Sequence, residues 1–234
     1  MASNNGLHRI HRQRCGAAAE ATVGRVARAR HNVQAGGQRM NPRVTELQCI
    51  MPLENIPSVL KLGILSNERA AKVPHYSVAL EVVQERRDHK NVPGGLKLHQ
   101  YANLYFHARN PMLFKRKDAA ATLCVLRVST EVRHIDGVVI TDRNASSDYV
   151  RFLHPSQAGL LDYDAIFASD WRHPNDPIAY YRHRSQKCAE VLVPHCVEPK
   201  HLTGAYVVDE AVASQLTSAG FAMPVTIDPV MFFR

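Results

Sequence analysis

An acidic residue inside an apolar stretch is the first feature of this sequence that could do chemistry. The stretch "KCAEVLVP" (187–194) has the aliphatic, β-branched composition of a buried strand, yet Glu190 lies within it. Burying a carboxylate is costly unless a partner stabilises its charge. From the residues alone, two interpretations stay open: an edge-strand acid that faces water, or a carboxylate held on a rigid strand at the floor of a cleft.

Three further polar clusters adjoin apolar segments. "QERRDHK" (84–90) carries two arginines, and a guanidinium fits phosphate oxygens. "YANLYFHARNPMLF" (101–114) surrounds Arg109 and Asn110 with aromatic residues. "ITDRNASSDYVRF" (140–152) places polar side chains directly after a strand, as binding sites and plain turns both do. Each cluster also has an ordinary structural interpretation, as a solvated helix end, a strand core or a turn.

The composition predicts a soluble α+β protein with one folded domain. The chain has 234 residues, 45% of them hydrophobic, and no apolar run of the roughly 18–20 residues that a membrane span needs. Five Cys without a C-x-x-C pair indicate buried thiols in a reducing compartment. Thirteen His show no convincing ligand spacing, so we expect no metal.

The basic charge belongs to the first 43 residues. The net charge is +8, but residues 1–43 hold eight Arg against one acid, which leaves the remainder at +1. This Ala-, Gly- and Arg-rich leader is predicted to be disordered. It resembles a transit peptide or a nucleic-acid-binding tail, although a non-essential extension, with Met40 as an alternative start, is the interpretation we favour.

Short strands interleaved with short helices must position these residues. Strands are predicted near 47–51, 101–106, 121–129, 137–141, 187–194, 204–208 and 223–229, and helices over 56–63, 77–90, 180–186 and 209–220. Asn55 is predicted to cap the first helix, with Ile64 on its apolar face. Residues 142–176 are predicted to be irregular. This pattern favours a single α+β domain over residues 44–234.

Read together, these segments resemble the DarT family of bacterial DNA ADP-ribosyltransferase toxins. The resemblance runs from about Leu47 to Phe233 and rests on five segments in family order. They are "ENIPSVLKLGILS", "QERRDHKNVPGGLKLHQYANLYFHARNPMLF", "ITDRNASSDYVRF", "KCAEVLVP" and "VTIDPVMFF".

The resemblance implies a compact ADP-ribosyltransferase fold with a split mixed or antiparallel β-core flanked by short helices. It implies that NAD⁺ is the co-substrate and that ADP-ribose passes to a base, thymine, in single-stranded DNA. It also implies the role of toxin, with a macrodomain-type glycohydrolase as antitoxin partner, in a monomeric cytoplasmic protein. Glu190 and Arg86 map to the catalytic residues, with Arg87 the alternative to Arg86.

The resemblance also implies two binding sets. The predicted NAD⁺-binding residues are Gln48, Cys49, Asn55, Tyr105, Arg109 and Met112. The predicted DNA-binding residues are Arg87, Asp142, Arg143, Asn144, Tyr149, Arg151, Trp171 and Arg172. Aromatic faces suit base stacking, and arginines suit the phosphates of a single strand.

One departure from the family pattern concerns the first strand. Many members carry a His there, where this chain has "LQCIMP". Gln48 could replace its contact to the NAD⁺ ribose, NAD⁺ could bind more weakly, or the protein could be inactive. Other functions therefore stay open: transfer to RNA or to guanine bases, a generic NAD⁺ hydrolase, or a catalytically silent nucleic-acid-binding module.

Overall fold

The computed structural model describes residues 41–77 and 81–234. Residues 1–40, which hold nearly all of the predicted leader, lie outside the described part of the chain. The boundary at residue 43 between leader and domain therefore stays a prediction. The described residues form the predicted α+β architecture around one large sheet.

Ten strands form two sheets in the described residues. The strands are β1 Leu47–Pro52, β2 Ile64–Leu65, β3 Tyr101–Tyr105, β4 Leu123–Val128, β5 Val139–Thr141, β6 Phe152–Leu153, β7 Glu190–Pro194, β8 Cys196–Val197, β9 Leu202–Val207 and β10 Val225–Ile227. The large sheet has the order β10-β9-β4-β1-β3-β7-β5-β6, and β2 pairs with β8. The β9–β10 pair is parallel and the other pairs are antiparallel. The sheet is therefore mixed, as predicted.

The large sheet is split at its centre, between β1 and β3. Six residues of β1 pair with β4, but only Gln48 pairs with β3, opposite Tyr105. Beyond that single pair the two strands separate, which leaves one face of each open to a cleft. This separation positions the functional site.

Helices flank the sheet and close the cleft. The α-helices are α1 Ile56–Leu62, α2 Asn67–Ala70, α3 Glu81–Asp88, α4 Pro111–Phe114, α5 Tyr163–Phe167, α6 Pro177–Gln186 and α7 Glu210–Ser218. Helix α1 ends at Gly63, whose φ is 83° and where an added Cβ would collide with the carbonyl oxygen of Val197. Only glycine fits this close approach of two chain segments.

Three local predictions are wrong. Ile64 does not belong to α1, because Gly63 ends that helix and Ile64 begins β2. Asn55 makes no cap, since its amide pairs with the backbone of Tyr76 in both directions, at 2.8 and 2.9 Å. The region 142–176 is not wholly irregular, because it holds β6 and α5; Asp162 caps α5 by accepting from the Ala165 amide.

None of the helices in the described ranges is both long and apolar enough to cross a membrane. The apolar core lies on the two faces of the large sheet. Its most deeply buried members come from the central strands and from α1, and include Leu47, Leu104, Leu126, Val191 and Ile56.

Candidate active site

The carboxylate of Glu190 is completely buried and hydrogen-bonded on both oxygens. Its side chain is 0% exposed. Oε2 accepts from Arg87 Nη1 at 3.0 Å and from Asn103 Nδ2 at 2.7 Å. Oε1 accepts from the backbone N–H of Ala145 at 2.9 Å. These donors remove the penalty of burying an acid, so the interpretation of Glu190 as a surface acid is wrong.

Strand β7 holds Glu190 at the edge of the cleft. Glu190 is the first residue of β7 and pairs with Tyr105 of β3, the residue at which the sheet splits. Its backbone N–H donates to Thr141 Oγ1 at 3.0 Å. Burial, followed by the negative charge of Glu190, raises the pKa of Tyr105 well above its usual value. The phenol is therefore neutral beside the carboxylate.

Arg87, and not Arg86, lies beside Glu190. On helix α3, positions 83, 84 and 87 share one face because they are three and four residues apart, and this face borders the cleft. Arg86 lies on another face and is exposed. Of the two arginines left open by the sequence, the structure thus brings Arg87 to the carboxylate, and which of them is catalytic stays a prediction.

The first cavity lies where β1 and β3 separate. It has a volume of about 200 Å³, and its walls include Cys49, Asn55, Tyr105 and Met112 of the predicted NAD⁺-binding set, together with Arg87. Two buried atoms here have no hydrogen-bond partner within the described part of the chain: Gln84 Oε1 and Arg87 Nη2. Buried polar atoms normally have partners, so this pair indicates a ligand site.

The second cavity adjoins the first. Its volume is about 720 Å³, and three basic side chains, Arg86, Lys115 and Arg184, line it. Tyr149 and Tyr181 lie at its rim and are 80% and 64% exposed. Exposed aromatic rings among cations suit a single-stranded nucleic acid.

The two cavities share three lining residues, Val83, Met112 and Asn144. Glu190 lies close to this junction, because the Ala145 amide that contacts it follows Asn144 directly. A group bound in one cavity therefore meets a group bound in the other near the carboxylate.

A lysine fixes the loop that carries Asn144 and Ala145. Lys90 Nζ donates to the carbonyl oxygens of Ser146 and Ser147 at 2.9 and 2.5 Å and pairs with Asp148 at 3.0 Å. Lys90 follows α3, so one short stretch of chain positions both Arg87 and the loop amide that contacts Glu190.

Two members of the predicted NAD⁺-binding set do not line the first cavity. Gln48 Oε1 accepts from the Ala108 amide at 2.7 Å, and its Nε2 donates to Glu46 at 2.9 Å. Arg109 donates to the carbonyl oxygens of Val230 and Ser169, both at 2.8 Å, and stacks on the Phe233 ring. Both side chains hold protein segments together.

Likewise, only some members of the predicted DNA-binding set line the second cavity. Asn144 and Tyr149 line the second cavity. Asp142 accepts from Arg143 and Arg151; burial opposes its ionisation, but these hydrogen bonds lower its pKa overall. This network folds the loop and leaves none of its three members on the cavity wall.

Trp171 and Arg172 also lie away from the second cavity. Trp171 is 8% exposed and packs edge-on against Phe114 and Phe233, so it offers no face for a base to stack on. Arg172 is exposed and binds Asp170 at 2.6 Å.

Several site residues were missed by the sequence reasoning. Asn103 lies two residues from both Tyr101 and Tyr105 along β3. Side chains two residues apart in a strand share a face, so this spacing could have placed Asn103 on the face of Tyr105. Gln84 could have been identified because it lies three residues before Arg87, on the same face of α3. No sequence signal identifies Ala145, Lys115, Tyr181 or Arg184, because tertiary packing brings them to the site.

No group of three or more His, Cys, Asp and Glu side chains in residues 41–77 and 81–234 is placed to hold a metal ion. Cys49, Cys124 and Cys188 are buried free thiols and Cys196 is partly buried. Burial raises the pKa of Cys49 to about 12, so its thiol stays protonated in the first cavity. The remaining cysteine, Cys15, lies outside the described residues.

The split sheet, and the buried carboxylate–guanidinium pair close to the junction of two cavities, are the features expected of an ADP-ribosyltransferase. Residues 49–233 match the family described as "DarT: ssDNA thymidine ADP-ribosyltransferase, DarT". The chain therefore belongs to the DarT family, which confirms the resemblance.

Two curated relatives and one solved structure show the same likeness. The chain is 32% identical over 211 residues to the "DNA ADP-ribosyl transferase-DNA ADP-ribosyl glycohydrolase fusion protein" of Thermosipho africanus, a match that covers 83% of this chain and 51% of that protein. It is 31% identical over 169 residues to the "DNA ADP-ribosyl transferase" of Thermus sp. (strain 2.9), with 67% and 78% covered. The chain thus spans about half the length of the fusion protein.

The solved structure is that of Thermus sp. 2.9 DarT in complex with ADP-ribosylated ssDNA. It matches with a TM-score of 0.72 and 26% identity, over 82% of this chain and 98% of that one. The predicted fold class is confirmed by this match.

Proposed function

We propose that this protein transfers ADP-ribose from NAD⁺ to a thymine base of single-stranded DNA. The observation that carries the proposal is the buried Glu190 carboxylate, which is bound to Arg87 close to the junction of two cavities. The family membership and the similar Thermus protein with bound ADP-ribosylated ssDNA support the same reaction.

The first cavity suits the nicotinamide–ribose part of NAD⁺. The Met112 and Tyr105 side chains offer apolar surface to a flat ring. Gln84 Oε1 can accept from a ribose hydroxyl, and Arg87 Nη2 can donate to a ribose or phosphate oxygen. These atoms, rather than the Gln48 amide, then supply the polar contacts that a first-strand His makes elsewhere in the family.

Glu190 has two roles in this proposal. Departure of nicotinamide leaves positive charge on the ribose, and a preorganised carboxylate stabilises that charge in the transition state. Thymine N3 carries a proton that must leave as the N3–C1′ bond forms. Glu190 accepts this proton as general base and then releases it to solvent, while nicotinamide departs with the electrons of the broken C1′–N bond.

The second cavity suits the DNA strand around the target base. Lys115, Arg86 and Arg184 can neutralise phosphates, and Tyr149 and Tyr181 can stack on neighbouring bases. Since these contacts are largely independent of sequence, the catalytic junction itself must select the base.

The biological role we propose is that of a toxin in the cytoplasm, countered by an antitoxin that removes ADP-ribose. The Thermosipho relative supports this pairing, because it is a fusion of a DNA ADP-ribosyl transferase with a DNA ADP-ribosyl glycohydrolase. We propose a monomeric transferase with a macrodomain-type glycohydrolase as its antitoxin partner.

Mass spectrometry of oligonucleotides tests the reaction. The protein is incubated with NAD⁺ and single-stranded DNA that contains one thymine, with matched strands in which cytosine or guanine replaces it and with an RNA strand of the same sequence. We expect one ADP-ribosyl group on the thymine strand alone. No adduct on any strand would refute the proposal, and NAD⁺ consumption without an adduct would indicate a hydrolase.

A further inference from the structure

The side-chain amide of Asn144 has a hydrogen-bonded oxygen and an NH₂ group without a hydrogen-bond partner in the described residues. Its Oδ1 accepts from the backbone N–H of Ser146 at 2.9 Å and from Ser146 Oγ at 2.6 Å. A backbone N–H can only donate, so the oxygen of the amide must face Ser146. The NH₂ group therefore points away from Ser146, and it has no hydrogen-bond partner among residues 41–77 and 81–234.

The location of this free donor is informative. Asn144 is one of three residues that line both cavities, and the other two, Val83 and Met112, have apolar side chains. The next residue, Ala145, donates its backbone N–H to Glu190 Oε1 at 2.9 Å. The junction thus presents a hydrogen-bond donor, Asn144 Nδ2, on the residue next to the backbone N–H that binds the buried Glu190 carboxylate.

The loop backbone holds donor and acceptor in a fixed relation. The Asn144 N–H donates to the Ser185 carbonyl oxygen at 2.9 Å, and Lys90 holds the carbonyl oxygens of Ser146 and Ser147. An amide fixed in this way is preorganised and loses little conformational entropy when it binds a ligand.

This donor–acceptor pattern matches one class of base edge. Thymine presents an N3–H donor flanked by carbonyl oxygens, and guanine presents an N1–H beside a carbonyl oxygen. Cytosine and adenine have an unprotonated ring nitrogen beside an amino group at the corresponding edge. In this arrangement the carboxylate takes the N–H proton and the amide donates to the adjacent carbonyl. Such a site would therefore accept thymine or guanine and reject cytosine or adenine.

We propose that Asn144 is a specificity-determining residue that donates from Nδ2 to a carbonyl oxygen of the target base while Glu190 takes the proton of the adjacent ring nitrogen. The inference rests on the proposed transfer to a base and adds a group that distinguishes thymine from cytosine and adenine. A donor lost from such a site costs roughly 10- to 100-fold in discrimination.

Asn144→Asp is the variant that separates this role from a structural one. The aspartate keeps an oxygen to accept from Ser146 N–H and Oγ, so the loop and the Ala145–Glu190 contact are retained. Its other oxygen replaces the NH₂ donor with an acceptor, which repels a base carbonyl. Thermal unfolding of the variant serves as the control for folding.

The test pairs this variant with altered bases. Transfer is measured with strands that carry thymidine, 2-thiothymidine or 4-thiothymidine at the target, because sulfur accepts a hydrogen bond poorly. With the wild type, we expect the transfer rate on one of the two thio analogues to be roughly 10-fold lower than on thymidine. With Asn144→Asp, we expect the transfer rate on thymidine to fall roughly 10- to 100-fold, and the difference between thymidine and that analogue to disappear.

Each outcome decides the matter. If the wild type modifies thymine and both analogues equally, or if the analogue effect persists in Asn144→Asp, then Asn144 does not contact the base and the inference is wrong, although the proposed function stands. If the wild type forms no adduct on any strand, the proposed function itself fails and this role for Asn144 fails with it.

Discussion

Lys187 and Glu190 are two buried charges, three residues apart in the sequence, that differ in whether their hydrogen-bond partners reach a cavity. Lys187 is 1% exposed, and its Nζ donates to His107 Nδ1 at 2.9 Å and to the Ile166 carbonyl oxygen at 2.7 Å. Neither Lys187 nor these two partners line the cavities described above. Glu190 also lines neither cavity, but its partners Arg87 and Asn103 line the first. Glu190 is equally buried, but its partner Arg87 has a free nitrogen in the first cavity.

The comparison teaches that burial of a charge does not by itself mark a site. Lys187 and His107 satisfy each other, and together they hold the chain before β7 against the end of β3 and α5. Around Glu190, buried polar atoms of Gln84 and Arg87 remain without partners at the wall of the first cavity, within the described part of the chain. We therefore expect changes at Lys187 to lower stability, and changes at Glu190 to abolish transfer.

The largest expected effect is that of Glu190→Gln. The amide keeps the shape of the side chain but removes the negative charge and the general base. We expect transfer to thymine to fall roughly 1000-fold or more, since both roles are lost together. The measurement is the initial rate of adduct formation, with the unfolding midpoint as the control for folding. Retention of more than a tenth of the wild-type rate would contradict the proposed role.

The next effect separates the two arginines of α3. In Arg87→Met, Glu190 loses its charged partner, and we expect transfer to fall roughly 100-fold and stability to fall by about 3 kcal/mol. Arg86→Met is the matched control. It removes a cation from the second cavity, so we expect only a weaker affinity for DNA and a smaller dependence on salt. Equal losses of the catalytic rate in both variants would contradict the placement of Arg87 alone at the reaction centre.

Lys187→Met tests the structural half of the comparison. The change leaves His107 Nδ1 and the Ile166 carbonyl oxygen without their donor, so we expect a loss of about 2 kcal/mol in the free energy of unfolding. Transfer per folded molecule should change by less than about threefold, because neither Lys187 nor its partners His107 and Ile166 line a cavity. Urea denaturation and rates corrected for the folded fraction provide the two measurements. A stable variant without activity would show that Lys187 belongs to the site.

The smallest effect is a pH dependence from His107. Burial, and then the positive charges of Lys187 and Arg109, lower its pKa from 6.5 to about 3. The unfolded chain binds this proton more readily than the folded protein, so His107 contributes a stability that rises between about pH 3 and pH 6.5. As the pH falls through this window, we expect a loss of at most a few kcal/mol from this group. A His107→Asn variant should show a shallower slope, and an unchanged slope would contradict this assignment.

Much of the fold could be predicted from the sequence, because the central strands are apolar runs bounded by turns. The runs that became β1, β3, β4, β7 and β9 were found within two or three residues of their bounds. The short elements β6 and α5 were missed, since two and five residues are too few to give a periodic signal.

The candidate site was less predictable than the fold. Glu190 was singled out because a carboxylate in an apolar strand is conspicuous, and the resemblance to the DarT family then implied its catalytic role. Arg109, Gln48 and Trp171 were predicted as binding residues, and they line neither cavity. Polar and aromatic residues near a site look alike in sequence whether they bind a ligand or hold loops together. The contacts of Arg109 with Val230 and Ser169 join segments far apart along the chain, which no local pattern reveals.

The most direct test of the central claim sets the two buried charges side by side. Glu190→Gln and Lys187→Met are incubated with NAD⁺ and the single-thymine strand, and adduct per folded molecule is measured by intact mass at matched times. We expect Lys187→Met to form adduct at close to the wild-type rate and Glu190→Gln to form essentially none. Adduct from Glu190→Gln at a rate similar to that of Lys187→Met would contradict the assignment of Glu190 as the catalytic carboxylate.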